Sequence, residues 1–132
     1  MNRVVVRLAD GRLVKGTTSD FLTGRETFHE SAASAAPGSA AVEIRMKDLK
    51  AVFFVKDLVG NPKHVDKKEF DPSRPPAGRR IRVVFKDGEV FVGTTQGYQP
   101  DLPGFFVVPA DPAANTEHCY VVAASTRKVG FV

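Results

Sequence analysis

Among its 132 residues the chain has no tryptophan, a single cysteine (Cys119), two methionines and three histidines. One cysteine excludes an internal disulfide and suits a reducing compartment, so the expected location is the cytoplasm. It also excludes a cysteine-rich zinc site. No apolar run approaches the ~20 residues of a membrane helix. The longest run, "AVFFV" at residues 51–55, has the length of a buried strand. The opening "MNRVVVRLADG" places charge after only three valines and has no cleavage site, so no secretory leader is expected. Strong charge of one sign is missing too. There are 19 Lys/Arg against 15 Asp/Glu, and no region carries more than a small basic excess. So weak and even an excess fits an ordinary solvated surface better than a nucleic-acid footprint.

What the chain does have is a repeat. "VRLADGRLVKGTTSDF" begins at Val6, and "VVFKDGEVFVGTTQGY" begins 77 residues later at Val83. The same offset, with no gap, places Arg3 on Arg80, Asp10-Gly11 on Asp87-Gly88, Gly16-Thr17-Thr18 on Gly93-Thr94-Thr95, and Phe54-Val55 on Phe131-Val132. Val4/Ile81, Leu8/Phe85, Phe21/Tyr98 and Ile44/Val121 are conservative pairs in that register. An unbroken register of this length marks an internal duplication.

Each copy reads as strands. Val4, Val6 and Leu8 alternate with more polar positions, the period-2 sign of a half-buried strand. Asp10-Gly11 predicts a type I′ turn with φ > 0 at both residues. Gly16, inside the next strand, predicts a bulge or bend. Three more strands are expected at "ETFHE", "VEIRM" and "LKAVFFV", and the second copy predicts the same series. The stretch between the copies carries Pro62, Pro72, Pro75 and Pro76 and reads as a linker, with Val65 and Phe70 as apolar anchors. The expected organisation is a first barrel at 1–56, a Pro-rich linker at 57–78 and a second barrel at 79–132. The fold class is all-β: two tandem five-stranded small barrels, packed on each other with pseudo-two-fold symmetry.

The pattern V-x-V-x-L-x-D-G-R-x-x-x-G with a following aromatic is carried by Val4, Val6, Leu8, Asp10, Gly11, Arg12, Gly16 and Phe21. It resembles the first motif of Sm-like (LSm, Hfq-type) small barrels, a hairpin shared with other SH3-like barrels. "VEIRMKDLKAVFFV" resembles the second Sm motif. The resemblance implies the barrel fold, and for some members RNA binding. The positions that would hold a nucleotide are Leu22, Glu26 and Arg45-Met46 in the first copy, and Gln99, Pro103 and Val122-Ala123 in the second. The family's Asp, Asn and Arg-Gly are mostly absent there, so the resemblance supports fold rather than RNA chemistry. The whole chain also resembles a group of uncharacterised bacterial double-barrel proteins, sometimes found beside signalling domains.

Other constellations are thin. Gly-Thr-Thr lies within a strand with no helix behind it, so it predicts a bend and not a phosphate cradle. His118 and Cys119 are adjacent, and on a strand they face opposite ways, which prevents joint ligation of a metal. Cys119 aligns with Val42 and reads as a small buried apolar residue. No nucleophile sits in a strained-turn context, and neither His29 nor His118 has a histidine in the other copy. The arginines of "RPPAGRR" lack the spacing of a PilZ-type cyclic-dinucleotide motif. Arg79, Arg80 and Arg82 are the densest basic cluster and the candidate nucleic-acid contacts. One ring of each pair Phe53-Phe54 and Phe105-Phe106 should leave its own core, most simply to lie between the barrels.

The expectation is a non-catalytic bacterial adaptor without cofactor or metal, acting through protein contacts, in signalling. The alternative is a single-stranded RNA- or DNA-binding Sm-like protein. No membrane contact is expected, and association with further copies of the chain is left open.

Overall fold

The computed structural model describes residues 1–36, 38–59 and 78–132. It contains β1 (Asn2–Leu8), β2 (Leu13–Thr18), β3 (Thr27–Ala32), β4 (Val42–Arg45) and β5 (Leu49–Val55). Then follow β6 (Arg79–Phe85), β7 (Val90–Thr95), β8 (Gly104–Pro109), β9 (Thr116–Val122) and β10 (Thr126–Phe131). One 3-10 turn, Met46–Asp48, precedes β5, and another, Ala123–Ser125, precedes β10. Adding 77 to the bounds of β1, β2, β3 and the first 3-10 turn gives those of β6, β7, β8 and the second. Linker residues 60–77, with His64, Val65, Phe70 and the four linker prolines, lie outside the described residues.

The two Asp-Gly hairpins differ from the type I′ expectation. Gly11 has φ +96° and Gly88 +92°, and no non-glycine among the described residues has positive φ. The Gly11 N–H donates to the Leu8 carbonyl at 3.0 Å and the Leu8 N–H to that of Arg12 at 2.9 Å. Ala9 and Asp10 therefore occupy an ordinary turn and Gly11 alone supplies the left-handed residue, a three-residue hairpin with a glycine bulge. The Asp10 carboxylate accepts the Arg12 N–H at 3.0 Å, an Asx turn that reinforces the hairpin.

All ten strands form one antiparallel sheet in the order β10-β6-β7-β8-β9-β5-β1-β2-β3-β4. This corrects the expected pseudo-two-fold packing. The halves join by β5 pairing with β9, from Ala51↔Val121 to Val55↔Thr116. The repeat counterpart of β5 is β10, not β9, so the halves meet through unlike edges. A two-fold axis would pair like with like.

The sheet curls in both directions. Val4, Val6, Leu8, Phe28, Ile44, Leu49, Val52 and Phe54 from the first half share one core with Tyr120 and Val122 of β9. Ile81, Val83, Phe85, Phe105, Val107, Cys119 and Val121 share the other with Ala51, Phe53 and Val55 of β5. β5 and β9 thus bury one face in each core, which is why "AVFFV" is apolar without alternation. As expected, Cys119 is fully buried and His118 faces the opposite way, stacked on Phe54 at 4.4 Å.

Polar contacts fasten the junction. Lys50 is 6% exposed, and its Nζ lies 2.7 Å from Asp87, 2.6 Å from Glu89 and 4.7 Å above the Phe85 ring. The Ser125 hydroxyl donates to the Leu49 carbonyl at 2.8 Å. At the far end of β5, Asn115 donates to the Asp57 carbonyl at 2.7 Å and accepts the Asp57 N–H at 3.0 Å.

The bend glycines are fixed by close approach. A Cβ on Gly16 would strike the Ser31 carbonyl oxygen, and one on Gly93 that of Val108 and the Val107 side chain. Gly93→Val should therefore destabilise the fold by about 2 kcal/mol or more. Gly97→Ala, where an added Cβ meets nothing within 4 Å, should stay within ~0.5 kcal/mol of the parent. Urea midpoints at equal slope check both.

Candidate functional site

The pairing of β5 with β9 sets the β2–β3 loop of the first half beside the β7–β8 loop of the second. Each loop is tied to the following 3-10 turn by the same bond. The Met46 N–H donates to the Glu26 carbonyl at 2.8 Å, and the Ala123 N–H to that of Pro103 at 2.9 Å. Between them lies a cleft of about 850 Å³.

Five repeat positions line this cleft in both copies: Glu26/Pro103, Glu43/Tyr120, Arg45/Val122, Met46/Ala123 and Lys47/Ala124. The first half supplies mostly charge at these positions and the second only apolar or aromatic surface. The cleft thus has a polar wall, extended by Arg25, and an apolar wall. None of Arg25, Glu26, Glu43, Arg45 and Lys47 is in an ion pair among the described residues. With three cations against two anions, the polar wall has mixed sign and no strong field.

Aromatic rings close one side of the apolar wall. Tyr120 meets Phe21 at 5.4 Å and Phe106 at 5.2 Å, while Phe106 also lies 5.7 Å from His118. Phe106 remains 40% exposed. As expected for rings between the halves, Phe106 leaves its own core to cover the first, and Phe53 enters the second, 5.9 Å from Phe91. Gly104 is required here, because a Cβ would run into the Tyr120 ring. Burial raises the Tyr120 hydroxyl pKa above its ordinary value.

The sequence candidates lie elsewhere. Arg79, Arg80 and Arg82 are on β6, and none of them lines the cleft. The Arg79 guanidinium sits 3.5 Å above the Phe131 ring, which suits a stacked surface arginine. Of the positions at which the Sm resemblance would place a nucleotide, Glu26, Arg45, Met46, Pro103, Val122 and Ala123 do line the cleft, whereas Leu22 and Gln99 do not.

Two polar groups were not anticipated. His29 Nδ1 lies 2.7 Å from Asp20, which also accepts the His29 N–H at 2.9 Å. These bonds from His29 hold the Asp20 carboxyl below the usual range. The pair fastens the start of the β2–β3 loop to β3. No hydroxyl or thiol is bonded to His29 Nε2 among the described residues. Among the same residues no three His, Cys, Asp or Glu side chains are grouped to hold a metal ion. Burial pushes the Cys119 thiol far up, out of nucleophilic range.

The second is Glu30 on β3, fully buried, with no partner for either carboxyl oxygen among the described residues. Its repeat counterpart is the core residue Val107. Burial raises its pKa from 4.5 to about 7.

A sequence model of a family described as "Family of unknown function (DUF6982)" matches residues 1–132. The chain belongs to this family. No curated protein and no solved structure matches this chain. No helix among its described residues is long and apolar enough to cross a membrane.

Glu30 gives this DUF6982 protein an unusual pH response. Below 4.5 the carboxyl is neutral in both states. Between 4.5 and about 7 the unfolded chain releases the proton and the folded chain keeps it. Stability from this group therefore falls as pH rises through that window, the reverse of a salt-bridged carboxylate. Glu30→Val, which installs the residue of the other copy, should remove that fall and raise the melting temperature at alkaline pH by roughly 5 °C. Thermal melts of both proteins across the window, with equal pH slopes as the contrary result, check it.

Proposed function

We propose that this chain is a non-catalytic bacterial adaptor that holds an amphipathic segment of a protein partner in the junction cleft. The observation that carries this reading is the pairing of a polar and an apolar wall built from the same five repeat positions. An extended segment that alternates apolar and charged side chains presents one kind to each wall. The mixed sign of the polar wall suits a peptide better than a phosphate backbone, which favours a single positive field. On this reading each half is a duplicated Sm-like or SH3-like small barrel, working in the cytoplasm and in signalling. The lone, buried Cys119 suits that compartment.

Single-stranded RNA or DNA is the second reading. It is favoured by one observation: the cleft falls largely on the positions at which the Sm resemblance would hold a nucleotide. It would also draw on Arg79, Arg80 and Arg82, which lie away from the cleft.

A photoreactive residue in place of the exposed Ala124 should crosslink to a protein segment in cells, and one at Lys86 should not. Reversing the polar wall with Arg45→Glu and Lys47→Glu should cut the Ala124 crosslink about tenfold. Filter binding of a random single-stranded RNA across a salt series should give no salt-sensitive retention. Retention that weakens as salt rises, and is lost in the reversed wall or in Arg79→Glu/Arg82→Glu, would replace the protein reading by the nucleic-acid one. Equal crosslinking at Ala124 and Lys86 would remove the cleft as the site.

A further inference from the structure

The internal junction contains a description of a second one. β5 of the first half pairs with β9 of the second. In the 77-residue register, the counterpart of β5 is β10 and that of β9 is β4. These are the two outermost strands of the sheet, each with one paired neighbour among the described residues. The two edges that meet inside the chain are thus present a second time, at the two ends of the sheet, facing outward.

Their exposure is that of an uncovered junction. Phe54 on β5 is 6% exposed, while its counterpart Phe131 is 41% exposed. Cys119 on β9 is 0% exposed, and its counterpart Val42 on β4 is 52% exposed. The charges correspond as well. Lys50 reaches Asp87 in the β6–β7 hairpin, and the counterparts of this pair are Arg127 on β10 and Asp10 in the β1–β2 hairpin. Arg127 has no side-chain partner among the described residues. The second anion of the internal junction, Glu89, has Arg12 as its counterpart, which already holds Asp10 at 2.7 Å. One of the two internal charge contacts is therefore kept and the other is not.

We infer that β10 of one copy pairs antiparallel with β4 of a second copy of this chain, head to tail, in the register of β5 and β9. Transposed by the repeat, Ala51↔Val121, Phe53↔Cys119 and Phe54↔His118 become Lys128↔Ile44, Gly130↔Val42 and Phe131↔Ala41. The contact covers Phe131 and Val42 and satisfies the outward backbone groups of both strands, the usual driving force of edge association. With a single transposed charge contact it is weaker than the internal junction and reversible on dilution. Because it joins unlike edges, each added copy presents a fresh edge to the next, so assembly either closes into a ring or continues as a file.

The register is testable by disulfide trapping. The Val132 N–H donates inward to the Arg80 carbonyl at 3.1 Å. By strand alternation, Gly130 is also bonded inward, so it faces its outer neighbour in the close, non-hydrogen-bonded kind of pair, Cα atoms about 4.5 Å apart. Val42 is exposed and a Cβ on Gly130 meets nothing within 4 Å, so both sites accept cysteine without disturbing a core. On mild oxidation, a mixture of Val42→Cys chains with Gly130→Cys chains should give mostly the mixed dimer. Either chain alone should give at least fivefold less. In sedimentation, the parent protein should gain mass with concentration. Phe131→Pro and Glu43→Pro, each of which removes an N–H that alternation places on the outer side of its strand, should each be monomeric alone and form a dimer that stops at two chains when mixed. A parent that keeps the mass of one chain at all concentrations would overturn the inference. So would association that persists when one chain carries both prolines, or crosslinking no greater in the mixture than in either chain alone.

Discussion

The pairing of β5 with β9 is the contact on which both halves of the molecule depend. Without it, Phe54 would lose its stacking with His118, and the first core would lose Tyr120 and Val122. The second core would lose Ala51, Phe53 and Val55 from the opposite face of the same strand. Each half would be a five-stranded sheet with an incomplete core, and units of that size are marginal alone. Two strands apolar on both faces solve this by serving two cores at once. They also make the halves a cooperative unit, because neither core can open without exposing the shared strands.

The departures from the repeat concentrate around that pairing. Lys50 stands where the second copy has Arg127, and it reaches a hairpin that reads Asp87-Gly88-Glu89 where the first copy has Asp10-Gly11-Arg12. Phe106 replaces His29 and His118 replaces Ala41, and both rings cover Phe54. The positions that build the strands and turns agree between the two halves, whereas those facing the other half differ and complement each other. Glu30 against Val107 breaks this trend, since it puts a carboxyl in a core where the other copy has an aliphatic side chain.

Much of the scaffold was legible in the residues themselves. The alternation of Val4, Val6 and Leu8, the Asp-Gly turns and the mid-strand glycines located the strands to within a few residues, because these signals are local. β2 ends at Thr18, and Phe21 beyond it turns inward onto Phe28 and Tyr120. The choice of paired edges was not legible, since antiparallel pairing is non-local and "AVFFV" states only that both of its faces are buried. A lysine inside "LKAVFFV" was the available signal for the junction lock, and Glu30 aligned with Val107 was the signal for the buried carboxyl. The Sm resemblance marked six of the residues that line the cleft but not that they meet, because the walls come from segments 77 residues apart whose proximity follows from the pairing.

The cleft and the shared strands are one design seen at two depths. The Met46–Glu26 and Ala123–Pro103 bonds hold equivalent loops in equivalent places, so identical residues at the paired positions would make a cleft with like walls. Instead one wall carries Glu43, Arg45 and Lys47 and the other Tyr120, Val122 and Ala124. Tyr120 connects the levels, lining the cleft while its ring packs in the first core. A ligand held against the apolar wall would therefore bear on a residue that also holds the halves together. On the proposed reading, binding in the cleft and integrity of the junction would be coupled through that side chain, and a partner engaging the cleft would stabilise the paired state by mass action.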